Sequence, residues 1–422
     1  MKIPRTWMLL AATLALPSLP AAAQMDLEFE RERMRTVHDT VVTEIEKKFY
    51  DPKLRGLDWK TLTAVTRSRI DRAQTLDEML TALFAQVEQL NDSHTVFIPP
   101  GRRDQVLFGF EAKAFGNEVR IYELKKDSAA AAAGLRRGDR LLQVNGFKAE
   151  RASFDQLMLL LRVLQPVQEM DIVYRRGEEP PQRVRVQAKI KRGRQVTDLT
   201  DIESIYQLIR EAQSEEEKFH HSILEAGIGY VQLPEFSGDE EFIAGLVKKV
   251  SKAGAMIVDL RGNPGGTTNA LTAFSGHFEN QPGVMADVLR RNKSDAIKLK
   301  PRNPALAGPM FILVDSDSAS AAEMFARHFQ RTGRAVVIGD RTAGRVTASR
   351  IFPQMMGVDT VWLYAIQVAV GRVVFPGGEE LEGRGVTPDH ACIPTGEQLR
   401  EGQDPCRALA ISFARKALGI PE

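Results

Sequence analysis

The stretch at residues 310–333 constrains the fold of this chain more than any other. It opens with the apolar run Met310–Val314, which is too short to cross a membrane and has the composition of a buried strand. A polar break follows, and apolar residues then recur at helical spacing until Gly333. Ser320 therefore lies where a strand turns sharply into a helix. A serine hydroxyl at such a corner stands beside the free N–H groups of the first helical turn, as acyl-transfer nucleophiles do.

Two other glycine-containing stretches bear on the role of Ser320, because serine is also a preferred helix N-cap and that role alone would explain it. The segment DLRGNPGG, at 259–266, follows a buried strand, and ligands in parallel α/β sheets bind at that end of a strand. Paired glycines there let a backbone N–H approach a substrate oxygen, although a turn shaped only for packing has the same composition. The third stretch is LEGRGVTPD, at 381–389.

Length, charge and the first residues bound the class of protein. The chain has 422 residues, enough for two or three domains, and a net charge of +2 gives no electrostatic reason to expect nucleic-acid binding. Lys2 and Arg5 precede an apolar segment that ends in small residues at 21–23, which is typical of a secretory signal peptide. We therefore expect a signal peptide at 1–23, a periplasmic protein and no stable membrane insertion.

The two cysteines, Cys392 and Cys406, lie close together in the exported part of the sequence. In an oxidising compartment a disulfide between them would contribute roughly 3 kcal/mol in the chain-entropy model. The alternative is two free thiols without a role. The histidines do not cluster with these cysteines at ligand spacing, so the sequence predicts neither a metal site nor a cofactor.

The patterns predict an α/β fold with three parts after the signal peptide. Helical periodicity covers 24–101, short strands and tight turns fill 102–192, and strands alternate with helices through 193–422. Alternating strands and helices indicate largely parallel pairing in the last part. Residues 195–225 are polar, and we interpret them as a linker with a short helix.

The middle part resembles a PDZ domain, and its most diagnostic piece is GLRRGDRLLQVNG at 134–146. Such domains bind the carboxyl end of a peptide by strand addition, with the terminal carboxylate held by backbone N–H groups. The resemblance implies that the carboxylate loop is Leu107, Phe108, Gly109 and Phe110. These residues can also be read as hydrophobic strand residues without a ligand.

Taken in order, five motifs resemble the carboxyl-terminal processing (tail-specific) protease family and its tricorn-core relatives. The resemblance covers nearly the whole mature chain and implies a crotonase-like α/β protease core with an N-terminal helical region and an inserted PDZ domain. It also implies serine endopeptidase activity on protein or peptide substrates. The motifs are GYVQLPEF, DLRGNPGG, SDSASAAE, GDRTAGR and GVTPD.

The resemblance assigns the nucleophile and the oxyanion donors. Ser320 matches the nucleophile, and the N–H groups of Ala321 and Gly266 match the oxyanion donors, with Gly265 as the alternative if the register shifts by one. Members of the Ser–Lys type carry a lysine base after a T-x-G turn, but here Arg345 stands in that position. Arginine keeps its proton at usable pH, so it cannot activate Ser320.

The tricorn-core branch uses a histidine instead, and His94 in the DSHT motif at 92–95 matches it. In that branch His94 takes the Ser320 proton, Glu382 orients the imidazole, and Ser93 completes a tetrad. Two neighbouring carboxylates, Glu379 and Glu380, are alternatives to Glu382.

Some alternatives stay open on the sequence alone. Ser–Lys members often carry a structural aromatic residue where His94 lies. A chain without the lysine base can also be an inactive PDZ-containing adaptor that binds peptides, and a small-molecule carrier is a third option. The other histidines lack a motif: we expect His220 and His221 to be solvated in the linker, and His277, His328 and His390 to have packing or surface roles. The sequence allows oligomerisation and names no substrate.

Overall fold

The structure is a computed structural model that describes residues 21–100, 104–192, 219–357 and 362–421. The chain divides into two compact units. The first comprises residues 1–100, 349–356 and 362–370, and the second comprises 101–348, 357–361 and 371–422. The predicted signal peptide lies almost entirely outside the described residues, and so does most of the predicted linker.

Three helices make up most of the first unit: α1 (Ala21–Lys48), α2 (Trp59–Arg72) and α3 (Leu76–Glu88). The side chains of Asp58 and Thr75 cap α2 and α3 by accepting N–H groups of the first turn. Apolar side chains at helical spacing face inward and are buried. No helix in the described ranges is both long enough and apolar enough to span a bilayer.

A short strand and a long hairpin complete the first unit. Strand β1 (Val96–Ile98) pairs antiparallel with β18 (Trp362–Val374), so that Val96 lies opposite Gln367. Strand β17 (Thr347–Met356) pairs with the other edge of β18. The turn that carries Ser93 and His94 therefore lies between the end of helix α3, at Glu88, and the start of strand β1, at Val96.

The second unit begins with a β-rich part. Six strands form one sheet in the order β3-β4-β5-β7-β8, with β6 on β5, while β2 pairs with β9. Its core contains fifteen buried apolar side chains, among them Phe108 and Phe110. The elements are β2 (Asp104–Leu107), β3 (Phe110–Phe115), β4 (Glu118–Leu124), α4 (Ala129–Ala132), β5 (Arg140–Val144), β6 (Phe147–Lys148), α5 (Phe154–Leu159), a π-helical turn (Leu160–Leu164), β7 (Glu169–Arg175), β8 (Gln182–Gln187) and β9 (Lys189–Arg192).

The remainder of the second unit is built on a six-stranded sheet in the order β10-β11-β12-β15-β16-β19. Strand β10 is antiparallel to its neighbour, and the other pairs are parallel. Strands β13 and β14 form a separate hairpin that pairs with the end of β18. The strands are β10 (His220–Leu224), β11 (Ile228–Gln232), β12 (Ala255–Asp259), β13 (Gly283–Leu289), β14 (Ser294–Leu299), β15 (Met310–Val314), β16 (Ala335–Gly339) and β19 (His390–Ala391).

Helices cover both faces of this sheet, as the near-continuous apolar strands require. Alternate strand residues, such as Val258 and Ile312, pack under α6, α7 and α8, while Ile257 and Leu313 pack under α10. A disulfide between Cys392 and Cys406 joins β19 to α10, with the two Cα atoms 5.6 Å apart. The helices are α6 (Glu240–Val250), α7 (Thr268–Ser275), α8 (Ala321–Arg331), α9 (Gly396–Glu401) and α10 (Pro405–Ala417).

The predicted α/β class is confirmed, with a mixed helix and sheet architecture. Two details of the prediction are wrong. His220 and His221 belong to strand β10 rather than to a linker, although both are exposed as expected. In addition, the sequence predicts Ser237 as the cap of this helix, but the cap of helix α6 is Asp239, whose side chain accepts the Phe242 N–H at 2.8 Å. The turn containing Ser237 and Gly238 precedes the helix.

Candidate active site

Ser320 occupies the corner between β15 and α8 in a conformation that non-glycine residues rarely adopt, with φ at 53° and ψ at −116°. Its N–H donates to the Arg345 carbonyl at 2.8 Å and to the Glu323 carboxylate at 3.2 Å. Backbone strain of this kind persists only where surrounding contacts hold it, and it occurs preferentially at functional sites. The sharp corner predicted from the sequence is present, and the Ser320 side chain is only partly buried.

The glycine-rich loop after β12 lies directly against Ser320. A Cβ atom on Gly265 would be 2.6 Å from Ser320 Cβ and 3.1 Å from its Oγ, so only glycine fits at this close approach. Gly266, with φ at 134°, forms an isolated bridge with Phe236. The buried Asn263 organises the loop: its side chain accepts the Gly265 N–H at 2.8 Å, and its carbonyl accepts the Ala319 N–H at 2.9 Å.

These contacts distinguish the candidate oxyanion donors. The Gly265 N–H is already used by Asn263, whereas the N–H groups of Gly266 and Ala321 donate to no group in the part of the chain that the structure describes. Gly266 and Ala321 were the two donors expected from the sequence, with Gly265 as the alternative. The choice of Gly266 and Ala321 as oxyanion donors stays a prediction.

Within the described residues, the Arg345 side chain forms no hydrogen bond with Ser320. Its guanidinium forms an ion pair with Asp155, at 2.9 Å, on helix α5 of the β-rich part. Its backbone, in contrast, is part of the corner, because its carbonyl accepts the Ser320 N–H and its own N–H donates to Glu323 at 2.8 Å. The position where Ser–Lys members carry a base thus provides backbone support and a contact between the two parts of the unit.

The structure separates the three candidate orienting carboxylates. Glu379 pairs with Arg327 at 3.0 Å, and Glu380 pairs with Arg372 at 3.1 Å. Glu382 instead accepts the Val346 N–H at 2.7 Å, which places it against the turn that supports Ser320. Which of the three carboxylates orients His94 stays a prediction, and Glu382 is the one bonded beside the Ser320 corner.

Glu323 is a site residue that the sequence reasoning did not assign. Its carboxylate is fully buried three residues after Ser320, in an otherwise apolar helix start. It accepts hydrogen bonds from Ser320 N–H, Arg345 N–H, Gly344 N–H and the Thr342 hydroxyl. Burial raises the pKa of the Glu323 carboxyl, although these donors oppose the shift. A lone acidic residue among apolar ones in SASAAE was the available signal.

His94 lies in the first unit, in a turn that Asp92 organises. The Asp92 carboxylate accepts the His94 N–H at 3.1 Å and the Thr95 hydroxyl at 2.9 Å. Ser93 Oγ lies 2.8 Å from His94 Nδ1. Ser93 therefore contacts one of the two ring nitrogens of His94, and a neighbouring polar group of this kind orients an imidazole. Ser320 and Glu382 lie in the second unit.

Within the second unit, the β-rich part contacts the nucleophile loop through Lys113. Its ammonium lies 2.6 Å from Asp315 and 3.1 Å from Asp317, and Ser316 Oγ donates to the Ala114 carbonyl at 2.6 Å. Burial alone would raise the pKa of Asp315, but the Lys113 charge and the hydrogen bonds that Asp315 accepts together outweigh burial and leave that pKa lowered. Asp315 also accepts the Gly262 N–H at 2.9 Å, so it joins the nucleophile loop to the glycine-rich loop.

The predicted carboxylate loop, Leu107–Phe110, forms the turn between β2 and β3. Gly109 has a positive φ of 83°, and Ser128 packs so closely on it that a Cβ would overlap. Phe108 and Phe110 are buried in the core of the β-rich part. Arg162, on the π-helical turn, donates to the Phe110 carbonyl at 2.9 Å and pairs with Glu111 at 2.9 Å. The Arg162 side chain thus occupies the Phe110 carbonyl, a backbone acceptor at the start of strand β3.

The remaining histidines and turn residues have structural contacts. His328 bonds Glu279 at 2.7 Å, His277 bonds the Pro304 carbonyl at 2.8 Å, and the ring of His390 packs on Phe413. Asp259 and Arg261 form an ion pair with one another, and Asp389 accepts the Val337 N–H. Within the described ranges, no three histidine, cysteine or acidic side chains cluster closely enough to hold a metal ion.

Comparison with known families and curated proteins supports the family expected from the motifs. Residues 227–392 match the model of peptidase family S41, and residues 101–168 match the PDZ domain model. The chain is 24% identical over 311 residues to the carboxyl-terminal-processing peptidase 1 of Arabidopsis thaliana, covering 70% of this chain and 56% of that protein. It is 22% identical over 383 residues to the carboxy-terminal processing protease CtpB of Bacillus subtilis, covering 88% of this chain and 70% of that protein.

Among solved structures, mature CPAF complexed with lactacystin superimposes with a TM-score of 0.66 over 93% of this chain and 100% of that chain. The identity is 13%, so this similarity concerns the fold. Together these matches support the relationship to the carboxyl-terminal processing proteases that the motifs predict, with an S41-like α/β fold and a PDZ domain.

Proposed function

We propose that this chain is an exported serine endopeptidase that cleaves protein substrates through an acyl-enzyme. Ser320 is the nucleophile, His94 is the general base, and the N–H groups of Gly266 and Ala321 stabilise the oxyanion. The observation that carries the proposal is the strained Ser320 backbone beside two N–H groups that donate to no described group. That arrangement presents a hydroxyl and two donors to one substrate carbonyl.

The proposed proton path runs from Ser320 Oγ to His94 Nε2. Ser93 Oγ lies against Nδ1, so Glu382 acts on the imidazole through Ser93 rather than by direct contact with that nitrogen. The imidazolium formed on acylation then protonates the leaving amine, and water attacks the acyl-enzyme with His94 again as base. A histidine suits this cycle because its ordinary pKa, roughly 6.5, leaves it largely neutral at neutral pH.

A Ser–Lys dyad finds no support at residue 345. Arginine stays protonated, and the guanidinium of Arg345 is paired with Asp155. The PDZ part is proposed to capture the carboxyl ends of substrates by strand addition to β3, or to gate access to Ser320. Gating is consistent with the Lys113 and Ser316 contacts, which join β3 to the nucleophile loop.

Export remains part of the proposal and rests on the sequence pattern at 1–23. Residues 1–20 lie outside the described part of the chain. Expression in a bacterium followed by fractionation and N-terminal sequencing tests it. A mature form that begins near Gln24 in the periplasmic fraction supports export, and an intact cytoplasmic chain contradicts it.

The decisive experiment labels the purified protein with a fluorophosphonate probe and measures cleavage of an unfolded substrate. Wild type should be labelled at Ser320 and should cleave, whereas Ser320→Ala should do neither. His94→Ala should lose at least about 10³-fold in activity, since triad members act as a unit. Asp389→Asn, a turn residue remote in role, serves as the control and should retain activity.

Each failure has a defined meaning. Full activity of His94→Ala would reject the triad but leave the serine mechanism intact. A folded wild-type protein that takes no probe and cuts nothing would favour the second candidate, a PDZ-containing adaptor that binds peptides. That candidate is tested by direct measurement of peptide binding. Arg162 donates to the Phe110 carbonyl at the start of β3, so replacing Arg162 should change the affinity if peptides bind along this strand.

A further inference from the structure

The buried carboxylate of Glu323 joins segments that are far apart in the sequence. One oxygen accepts the N–H groups of Ser320 and Arg345, at 3.2 and 2.8 Å. The other accepts the Gly344 N–H at 2.8 Å and the Thr342 hydroxyl. Every acceptor direction that points inward is therefore used, and no part of Glu323 reaches solvent.

The network continues from Thr342 to the loop that carries Glu382. The Thr342 hydroxyl accepts the Val386 N–H at 2.6 Å while it donates to Glu323. The Thr342 N–H in turn donates to the Val386 carbonyl at 3.1 Å. A second connection runs from the Val346 N–H to Glu382 itself, at 2.7 Å. Glu323 and Thr342 thus lie between the nucleophile corner and the Glu382 loop.

An ordinary helix cap does not explain this arrangement. In a capping box the Glu323 side chain needs to accept only the Ser320 N–H, while the Ser320 side chain accepts the Glu323 N–H. The other three donors come from residues outside helix α8, and one of them is a side chain. Burying a carboxylate is costly unless several donors compensate it, so a buried carboxylate that ties three segments together suggests a requirement for accurate geometry.

We propose that Glu323, acting with Thr342, is a positioning residue that fixes the Ser320 backbone and the Glu382 loop in one register. This inference rests on the proposed function, because it requires Ser320 to be the nucleophile and Glu382 to act on the general base. Glu323 touches neither substrate nor the reacting atoms. It acts by holding Ser320 at its positive φ and by setting, through Thr342 and Val386, the position from which Glu382 acts.

Two substitutions test the connection at different points. Glu323→Gln places an amide NH₂ where two donors already point, whichever way the amide is turned. Thr342→Val removes the hydroxyl between Glu323 and Val386 with little change of shape, and it leaves the helix cap intact. Thr342→Ser restores the hydroxyl and is the conservative rescue. Asp389→Asn is the matched control, since Asp389 also accepts a backbone N–H and a side-chain N–H in the same unit.

Glu323→Gln and Thr342→Val are expected to lower kcat about 10- to 100-fold with KM changed less than about 3-fold, as when an interaction serves the transition state. The second-order rate of fluorophosphonate labelling at Ser320 should fall by a similar factor. Thr342→Ser should restore both rates to within about 3-fold of wild type. Asp389→Asn should match the melting-temperature loss of Thr342→Val without the loss of labelling rate.

Hydrogen exchange provides a readout that is independent of activity. In Thr342→Val the amides of Ser320, Gly344 and Val386 should exchange at least about 10-fold faster than in wild type, and Thr342→Ser should reverse this. If Glu323→Gln does not fold, the Thr342 pair still decides the question. The inference is overturned if folded Thr342→Val labels at the wild-type rate, or if its exchange at both segments is unchanged.

The two proposals fail in different ways. A wild-type protein that is never labelled at Ser320 contradicts the proposed function, whatever the variants do, and the exchange data then judge the connection alone. Wild-type labelling together with unaffected Glu323→Gln and Thr342→Val contradicts the positioning role and leaves the serine protease assignment standing.

Discussion

The guanidinium of Arg345 lies 2.9 Å from the carboxylate of Asp155, and this pair joins the protease core to helix α5 of the PDZ part. Both side chains are about half exposed, at 49% and 61%. Exposed ion pairs of this kind contribute little, typically about 0–1 kcal/mol. The Arg345 side chain therefore makes a weak contact between the two parts.

Replacing Arg345 should accordingly have a small effect on catalysis. We expect Arg345→Ala to retain proteolysis within about 3-fold of wild type, because only the backbone of this residue supports Ser320. Arg345→Lys should likewise leave the dependence on His94 unchanged. The measurement is kcat/KM on an unfolded substrate. A loss of more than about 100-fold in a folded Arg345→Ala protein would indicate an unrecognised role for the side chain.

Gly265 should tolerate no side chain. Gly265→Ala places Cβ 2.6 Å from Ser320 Cβ and also forces a positive φ of 115° on a residue with a side chain. We expect a loss of at least about 100-fold in probe labelling and a destabilisation of about 1–3 kcal/mol from the backbone strain. Labelling kinetics and denaturant unfolding measure the two effects.

Gly245→Ala is the control for that substitution. Gly245 lies within helix α6 with open space around it, so alanine there should stabilise the protein by about 0.5–1 kcal/mol. Normal labelling by Gly265→Ala would contradict the close approach of the glycine-rich loop to Ser320.

Strand β3, the proposed peptide-binding strand, should bind peptides more tightly when Arg162 is removed. Strand β3 lies at the end of its sheet, and Arg162 occupies the Phe110 carbonyl at its start. We expect Arg162→Ala to raise the affinity for a peptide with an apolar carboxyl end by about 3- to 10-fold, measured by fluorescence anisotropy. Arg183→Ala, on the exposed surface of β8, is the control, and equal affinities for all three proteins would contradict the prediction.

Removal of the disulfide should destabilise the protease core. Cys392 and Cys406 are 14 residues apart, and closing a loop of this length contributes about 3 kcal/mol in the chain-entropy model. The double variant Cys392→Ser, Cys406→Ser should unfold at lower denaturant concentration than wild type. Wild type in reductant should unfold at the same denaturant concentration as the variant. If reductant also changes the unfolding of the variant, the reductant acts through something other than this disulfide.

Stability should fall in mild acid because of buried histidines. His38 is fully buried and bonds Gln86 at 2.8 Å, and burial lowers its pKa below the ordinary value of 6.5. The unfolded state then binds more protons than the folded state, so this contribution is present above about pH 6.5 and decreases as the pH falls toward the lower folded pKa. Burial lowers the pKa of His277 in the same way.

The measurement is the free energy of unfolding between pH 5 and 8, roughly the range of histidine titration. The variant His38→Gln should show a shallower decrease below about pH 6.5 than wild type. His390→Asn, at an exposed position, should leave the slope unchanged. Identical slopes for wild type and His38→Gln would contradict the assignment.

Local patterns predicted much of the core. The apolar run and the helical spacing within one stretch predicted the strand and the helix around Ser320. The DLRGNPGG motif predicted a glycine turn after a buried strand. The cap of helix α6 was misplaced because Ser237 and Asp239 are both good caps, and only the turn at Gly238 decides between them. Choices of this kind depend on backbone geometry that the composition does not contain.

Contacts between distant segments were beyond the sequence reasoning. Lys113 and Asp315 are separated by 202 residues, and nothing in their local patterns links them. Glu323 collects donors from residues up to 22 positions away. The arginine partners of Glu379 and Glu380, Arg327 and Arg372, likewise lie on other elements and could not be predicted from the local motif.

The Lys113 contact has a consequence for exchange of parts between related proteins. The second oxygen of Asp315 lies against this ammonium at 2.6 Å, while the first holds the loops beside Ser320. A core from which 104–192 were excised, or a chimera with a foreign PDZ module lacking a cation at this position, would leave the largely buried Asp315 carboxylate without its cation in the loop that precedes Ser320. The inserted module is thus not interchangeable, and grafting one must transplant its cation as well.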